Sequence, residues 1–403
     1  MNKIDKLIQK LSPNGIEFFK IEEVFIIKNG YTPSKAKHEF WENGTIPWFR
    51  LEDIRINGRI LNDSIQHVNT QAIKGKVIPA NSVLISTTAT IGEHALITVD
   101  SIANQQMTYL TCKSDFKKIV NMKFIFYYCF KLCEWCKKVA TNSGGMAIIN
   151  TSKIKDFTIP LPPLEVQEEI VRILDKFTEL TAELTAELTA ELTARKKQYE
   201  YYKRSLLSQS TKFERKELCM VACYSKERIS FNEMTIKNYV GVDNLLQNRM
   251  GKVDANYLPK SGNLTKFNSG DILIGNIRPY LKKIWCSDCQ GGTNGDVLAV
   301  QVLNKKNLDP KFLYYILSSD DFFNYNDKNA KGAKMPRGNK DLIMKYMINI
   351  PPLEVQEKIV SILDRFDTLC NDITIGLPAE IEARKKQYEY YRDKLLTFKE
   401  VSE

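Results

Sequence analysis

The stretch PPLEVQEEIVRILDKF, Pro162 to Phe177, returns as PPLEVQEKIVSILDRF, Pro351 to Phe366, with three substitutions in sixteen positions. ARKKQYEYY, Ala194 to Tyr202, returns unchanged at Ala383 to Tyr391. Both pairs are offset by 189 residues, so the segment between the matches has equal length in the two copies. A repeat of this kind means that the chain is built twice on one plan. Pro-Pro stops whatever precedes each copy, and the glutamates that follow suit a helix N-terminus. The first copy then carries an unbroken helical pattern from about Leu164 to Leu207, through TAEL units that begin at Thr181, Thr185 and Thr189.

Each rod is expected to run roughly 40 to 45 residues, or roughly 60 to 68 Å at the rise of an α-helix. Leu180, Leu184, Leu188 and Leu192 mark successive turns of the first rod, and Leu369, Ile373, Leu377 and Ile381 keep step in the second. Matched apolar stripes should pack on each other. A spacing of four advances about 40° per step, so the leucines should drift around the rod instead of forming a straight seam. Gly376 and Pro378 fall in the middle of the second rod, and an interior proline removes a hydrogen bond, so a kink or short break is expected there.

Outside the rods the pattern is globular. Short β-branched runs (Val83 to Ser86; Ile272 to Gly275) alternate with Gly, Asn and Pro turns, and each segment has one better helix, Met122 to Val139 and Pro310 to Leu317. The strands align at the common offset while the surrounding loops share little. We therefore expect an α+β chain with segments 1–158, 159–211, 212–347 and 348–403, alternately globular and helical.

The net charge of +10 and a pI near 8.9 suit either an acidic partner, nucleic acid being the commonest, or a lysine-rich surface that serves solubility. The most apolar run, Phe124 to Cys133, is interrupted by Lys131 and too short to span a bilayer, and the N-terminus lacks a signal-peptide core, so a cytoplasmic protein is expected. Nine cysteines without a framework suit a reducing compartment. The CxxC pairs Cys133/Cys136 and Cys286/Cys289 are far apart in sequence, with three His in the whole chain, so core residues are a better reading than zinc ligands. There is no glycine-rich phosphate loop, no methyltransferase (D/N)PP(Y/F) motif and no metal-ligand cluster; Asn349-Ile350-Pro351-Pro352 interposes Ile350 and reads as helix punctuation.

The order of globular segment, PPLEVQ helix, TAEL units, RKKQYEYY, second globular segment and second such helix resembles the specificity subunit of type I restriction–modification systems, over essentially the whole chain. Thr32-Pro33-Ser34-Lys35, Glu39 to Gly44, Ile46-Pro47-Trp48, Thr88-Ala89-Thr90-Ile91-Gly92 and Asn104-Gln105 also look like target-recognition-domain sequence. The resemblance implies two target recognition domains held apart by two antiparallel helices packed as a coiled coil, with internal pseudo-two-fold symmetry. Each domain would bind one half of a bipartite, asymmetric site in double-stranded DNA. The chain itself would be non-catalytic and bind no cofactor. Two modification subunits, using S-adenosylmethionine to methylate adenine, and restriction subunits, using ATP and Mg, would dock on it. With antiparallel rods, Asn2 to Lys10 and Leu395 to Glu403 should fall near each other.

Base reading calls for Arg or Lys toward guanine, Asn or Gln toward adenine and apolar groups toward the thymine methyl. The first domain offers Arg50, Arg55, Arg59, Thr87, Thr88, Thr90, Asn104, Gln105 and Gln106. The second offers Asn276, Arg278, Tyr280, Lys282 and Lys283, then a basic glycine-bearing loop with Lys331, Lys334 and Arg337, which is the strongest candidate for DNA contact. For any one of these, a solvated surface residue or a strand cap is the plain alternative. Arg195-Lys196-Lys197 and Arg384-Lys385-Lys386 occur in both copies and so cannot tell two half-sites apart. Tyr199, Tyr202, Tyr388 and Tyr391 beside them favour a packed partner interface over phosphate contact or a solvated face.

Overall fold

The computed structural model describes residues 3–88, 90–143, 146–208, 213–371 and 376–401. The chain forms two compact units, Met1–Leu184 with Arg384–Glu403, and Thr185–Ala383. Each unit therefore takes one globular segment plus part of both rods. Among the described residues no helix is long and apolar enough to cross a membrane.

In the first unit a five-stranded sheet runs in the order Phe25–Asn29, Met107–Cys112, Ser82–Ser86, His94–Ile97, Ile60–Leu61, antiparallel except for the last pair. Its central strand is apolar on both faces because both faces are covered. Val83 and Ile85 join a core with the helix Met122–Val139, while Leu84 joins Phe49, Ile54 and Leu61 on the other side. That division is the period of two expected of a strand. The second unit repeats it: Ile272 and Ile274 pack with the helix Pro310–Leu317, and Leu273 packs with Val240 and Phe267. The helices start where Asn121 and Asp309 accept two backbone N–H groups each, as N-caps do.

The PPLEVQ motif roots each rod on its globular core. Gln167 is fully buried; its Nε2 donates to the carbonyls of Ile119 (2.8 Å) and Pro162 (2.7 Å), and its Oε1 accepts from the Asn121 N–H (2.9 Å). Gln356 does the same with Asn307 (2.9 Å), Pro351 (2.7 Å) and the Asp309 N–H (2.8 Å). Two turns on, Asp175 accepts from Lys123 Nζ and the Tyr127 hydroxyl, both at 2.7 Å, and Asp364 accepts from Lys311 Nζ (2.7 Å) and the Tyr315 hydroxyl. One clamp, with its backbone groups satisfied from the same side chain, holds each rod to its own sheet-covering helix.

The first rod is a single helix, Leu164–Ser208, of 45 residues. The second consists of the helices Leu353–Asn371 and Leu377–Leu395. Pro378 sits in the first turn of the latter, where a missing N–H costs little. Within the first unit the rods run antiparallel, with Phe177 against Tyr391 at 6.1 Å between ring centroids and Thr178 Oγ1 2.9 Å from the Tyr388 hydroxyl. In the second, Tyr199 and Tyr202 stack near Phe366 at 6.3 and 5.7 Å. The TAEL leucines are unequally covered: Leu188 is 8% exposed, Leu180 45%. The terminal segments meet in the first unit. Ile4 and Leu396 share its core, and the Ile16 N–H donates to Lys399 O at 3.0 Å.

Candidate nucleic-acid interface

The two units build one loop framework and dress it differently. After the strand Ser82–Ser86, the Thr87 carbonyl accepts the Ile149 N–H at 3.0 Å, and Thr88 bridges Ile148. After the strand Ile272–Gly275, the Asn276 carbonyl accepts the Gly338 N–H at 3.0 Å, and Ile277 bridges Arg337. Every pair in the second set lies 189 residues beyond its counterpart. The incoming segment is the hairpin Thr141–Ser143/Met146–Ile148 in the first unit and the Lys331–Arg337 loop in the second. Each ends on an asparagine, Asn150 or Asn339, that caps a short helix.

In the first unit the candidates sort into exposed and internal groups. Gln105 is exposed and accepts a hydrogen bond from Thr32 Oγ1. Asn104 is nearly buried and receives the Gln106 N–H at 3.1 Å, which shapes the turn between two strands. Gly30 lets this turn close, since a Cβ there would lie 2.2 Å from the Ala103 carbonyl oxygen. Thr87 is buried, with its hydroxyl 3.2 Å from Thr108 Oγ1; Thr88 is half-buried. Ala89, between Thr88 and Thr90, lies outside the described residues.

The three arginines have different employments. Arg50 stacks on Trp48 at 5.2 Å and pairs with Glu52 at 3.1 Å. Arg59 donates to the His94 carbonyl at 3.0 Å and lies over Phe130, so its charge is spent on the core. Burial first, then the Arg59 charge, pushes the His94 imidazole down to about 3, which keeps it neutral. Arg55 is exposed and lies 3.4 Å from both Thr90 Oγ1 and Glu93. It is the arginine of the three best placed for a ligand.

In the second unit the structure joins the two stretches that sequence singled out separately. The Arg278 N–H donates to the Pro336 carbonyl at 2.7 Å, so the turn after Ile272–Gly275 and the basic loop form one surface. The loop closes on itself through reciprocal Lys331 and Arg337 backbone bonds of 2.9 and 2.8 Å. Arg278, Tyr280, Lys331, Lys334 and Arg337 are exposed on it. Arg337 is oriented by Asp296 at 3.1 Å, and Gly338 allows close approach, since a Cβ there would lie 2.8 Å from Asn276 Oδ1. Asn276 is itself buried, and that oxygen has no hydrogen-bond partner among the described residues. Lys282 pairs with Asp320 at 2.6 Å and Lys283 donates to the Val242 carbonyl at 2.6 Å. Arg278 and Lys282 hold left-handed backbone at φ 53° and 52°. Such geometry costs roughly 1–3 kcal/mol per residue and needs surrounding structure to hold it.

Sequence reasoning passed over the Thr141–Ile148 hairpin, which takes in the first unit the place of the basic loop. The signal was the shared offset of Asn150 and Asn339, which aligns the preceding residues despite their different chemistry.

On the rods, Tyr199 is buried and packs in its unit's core, and Tyr388 bonds Thr178 within the other. The first tyrosine of each YEYY therefore turns inward. Tyr202 and Tyr391 are 40% and 42% exposed and remain available to a partner. Leu184 and Leu192 are half-buried and Leu369 is 37% exposed, while Ile373 lies outside the described residues. Cys133 and Cys136 lie in the core, and all nine cysteines are free thiols.

Residues 13–194 and 208–383 match the family model of the type I restriction modification DNA specificity domain. The chain is similar to the type I restriction enzyme EcoprrI specificity subunit of Escherichia coli, 39% identical over 390 residues and covering 93% of each chain. A chain from the type I R-M system, solved for the structural basis of complex assembly and conformational transition, aligns over 95% of this chain and 97% of its own at TM-score 0.65 and 16% identity. The HsdS subunit from Thermoanaerobacter tengcongensis aligns over 96% and 97% at TM-score 0.56 and 15% identity. At such identities the likeness is one of fold.

Proposed function

The chain belongs to the type I restriction–modification DNA specificity family, and on that premise we propose that it is the non-catalytic DNA-reading subunit of such a system. Each globular domain reads one half of a bipartite, asymmetric site, and the paired rods set the spacer between halves. Two modification subunits methylate adenine in the bound site with S-adenosylmethionine. Restriction subunits that consume ATP with Mg join the same assembly, in the cytoplasm, where the DNA is.

The observation that carries this reading is the duplicated loop framework with undivided scaffold and divergent side chains. Thr87 and Asn276 occupy one backbone position, as do Ile148 and Arg337. A protein that met one target twice would have no use for that difference. Exposed Arg278, Lys334 and Arg337 supply phosphate and guanine chemistry on the second domain, and Arg55 and Gln105 supply arginine and amide groups on the first. The test is genome-wide mapping of methylated adenine in cells with and without this chain. One bipartite motif with a fixed spacer should vanish with its removal. An unchanged methylation map, together with salt-insensitive association of the assembled complex with DNA, would return the chain to the class of protein tethers.

A further inference from the structure

Loops that differ in nearly every residue keep one methionine in step. Met335 stands in the basic loop, and Met146, 189 residues earlier, opens the second strand of the hairpin that replaces it. The register is set by the anchors on either side: Ile148 and Arg337 both bridge the post-strand loop, and Asn150 and Asn339 both cap the next helix.

A methionine held in place is ordinarily core, but Met335 is 49% exposed. Its loop is not a loose one. The reciprocal Lys331–Arg337 bonds close the base, the Arg278 N–H holds Pro336 at 2.7 Å, and Asp296 holds Arg337. Gly332, at φ 104°, turns back on the tip, and a Cβ there would come within 3.3 Å of the Met335 carbonyl oxygen. The exposed cations Lys331, Lys334 and Arg337 share its loop. Cations select a polyanion, and an exposed apolar group on a cationic loop has base faces as its complement, not phosphates. Side chains of this kind, Met and Pro among them, enter between base steps and partly unstack them. Methyl transfer to a base requires the base to leave the stack, which is a need common to both half-sites whatever their sequence. A residue retained where the sequence-reading residues differ suits a shared task of that sort.

Resting on the DNA-reading function proposed above, we propose that Met335 is a wedge residue that enters the base stack in the half-site bound by the second domain and loosens one step there. It contributes to opening the duplex, and only secondarily to the choice of bases.

The test uses the full-length chain assembled with its modification subunits on a duplex carrying the mapped site. Unstacked thymines are read by permanganate and unstacked purines by diethyl pyrocarbonate. In the wild-type assembly one step of the second domain's half-site should be at least fivefold more reactive than in free DNA. Met335→Ala should abolish that reactivity and leave the other half-site unchanged, and Met335→Leu, which keeps an apolar side chain of similar reach, should restore most of it. Hyperreactivity that survives Met335→Ala overturns the wedge, as does a wild-type assembly that binds its site with no reactive step in that half. Loss of subunit assembly in Met335→Ala assigns the residue to a protein contact and also overturns it. An assembly with no site-selective DNA binding at all overturns the proposed function and the wedge with it, so the two failures are told apart by whether wild type binds.

Discussion

Within each unit the root of the rod and the loop framework lie on one fold, yet they treat duplication in opposite ways. The root repeats atom for atom: Gln167 and Gln356 make the same three hydrogen bonds, and Asp175 and Asp364 take the same Lys and Tyr donors. The loops keep their backbone bonds and change their exposed side chains, Ile148 against Arg337. The difference is one of environment. A buried amide satisfying three backbone groups has no tolerated neighbour in sequence space, because any loss leaves unpaired polar groups in the core. An exposed side chain on a bonded loop can vary at almost no cost in stability. Duplication therefore preserves what holds and frees what faces outward.

The sharpest way to press on this contrast is through length. Deleting Thr185 to Leu188 removes roughly 6 Å of helix, close to two base-pair steps of about 3.4 Å each. Methylation at the original motif should be lost and replaced by the same half-sites with a shorter spacer, read by methylation mapping. Altered half-sites with an unaltered spacer would mean that the rods carry base information.

Next in size is the root itself. Gln167→Leu and Gln356→Leu should each destabilise their own unit by about 3 kcal/mol, since a backbone N–H and two carbonyls are left buried without partners. Hydrogen exchange resolved by unit would measure both. Costs that differ by more than about 1 kcal/mol would break the equivalence of the two clamps.

The loops should respond in binding instead of stability. Arg278→Ala and Arg337→Ala should each weaken binding by about 1–3 kcal/mol, through the second domain's half-site alone. Arg59→Ala, which removes a bond to the His94 carbonyl, should lower the stability of the first unit by about 1 kcal/mol without changing the motif. A motif change in Arg59→Ala would place that arginine among the readers.

The smallest effect concerns one of the three substitutions that separate the copies, Glu169 against Lys358. Hydrogen bonds from Arg172 and then Lys3 hold the Glu169 carboxyl down to about 2, from an ordinary 4.5. A depressed carboxyl contributes stability above its ordinary pKa and loses it as pH falls from 4.5 toward 2. Both cations are solvent-exposed, so Glu169→Gln should cost only about 1 kcal/mol at neutral pH and make the first unit's stability flatter across that acid window. At the matching position the second unit has exposed Lys358, paired to Glu354 at 2.9 Å, in place of that carboxylate.

Much of this was legible in the linear chain because the relevant signals are local. Pro-Pro, the glutamates and the leucine spacing marked a helix from Leu164, and the apolar runs marked strands whose two faces are both covered. The candidate site was legible only by residue type. Arg50, Arg55 and Arg59 look alike in sequence, but Arg59 faces a buried histidine while Arg55 faces solvent. The YEYY tyrosines likewise divide into one that packs and others that stay out, since successive positions on a helix point about 100° apart.

By itself, then, the sequence determined the duplication and the length of the rods, because these follow from periodicity and from identity at a constant offset. Only the tertiary structure decided which basic residues share a surface. Arg278 and Pro336 are neighbours through one backbone hydrogen bond that spans the helices Pro310–Leu317 and Asp320–Lys328, and no periodicity encodes such a closure. It also decided that the Thr141–Ile148 hairpin stands where the basic loop stands, since that equivalence is held by main-chain atoms, which every residue type supplies alike.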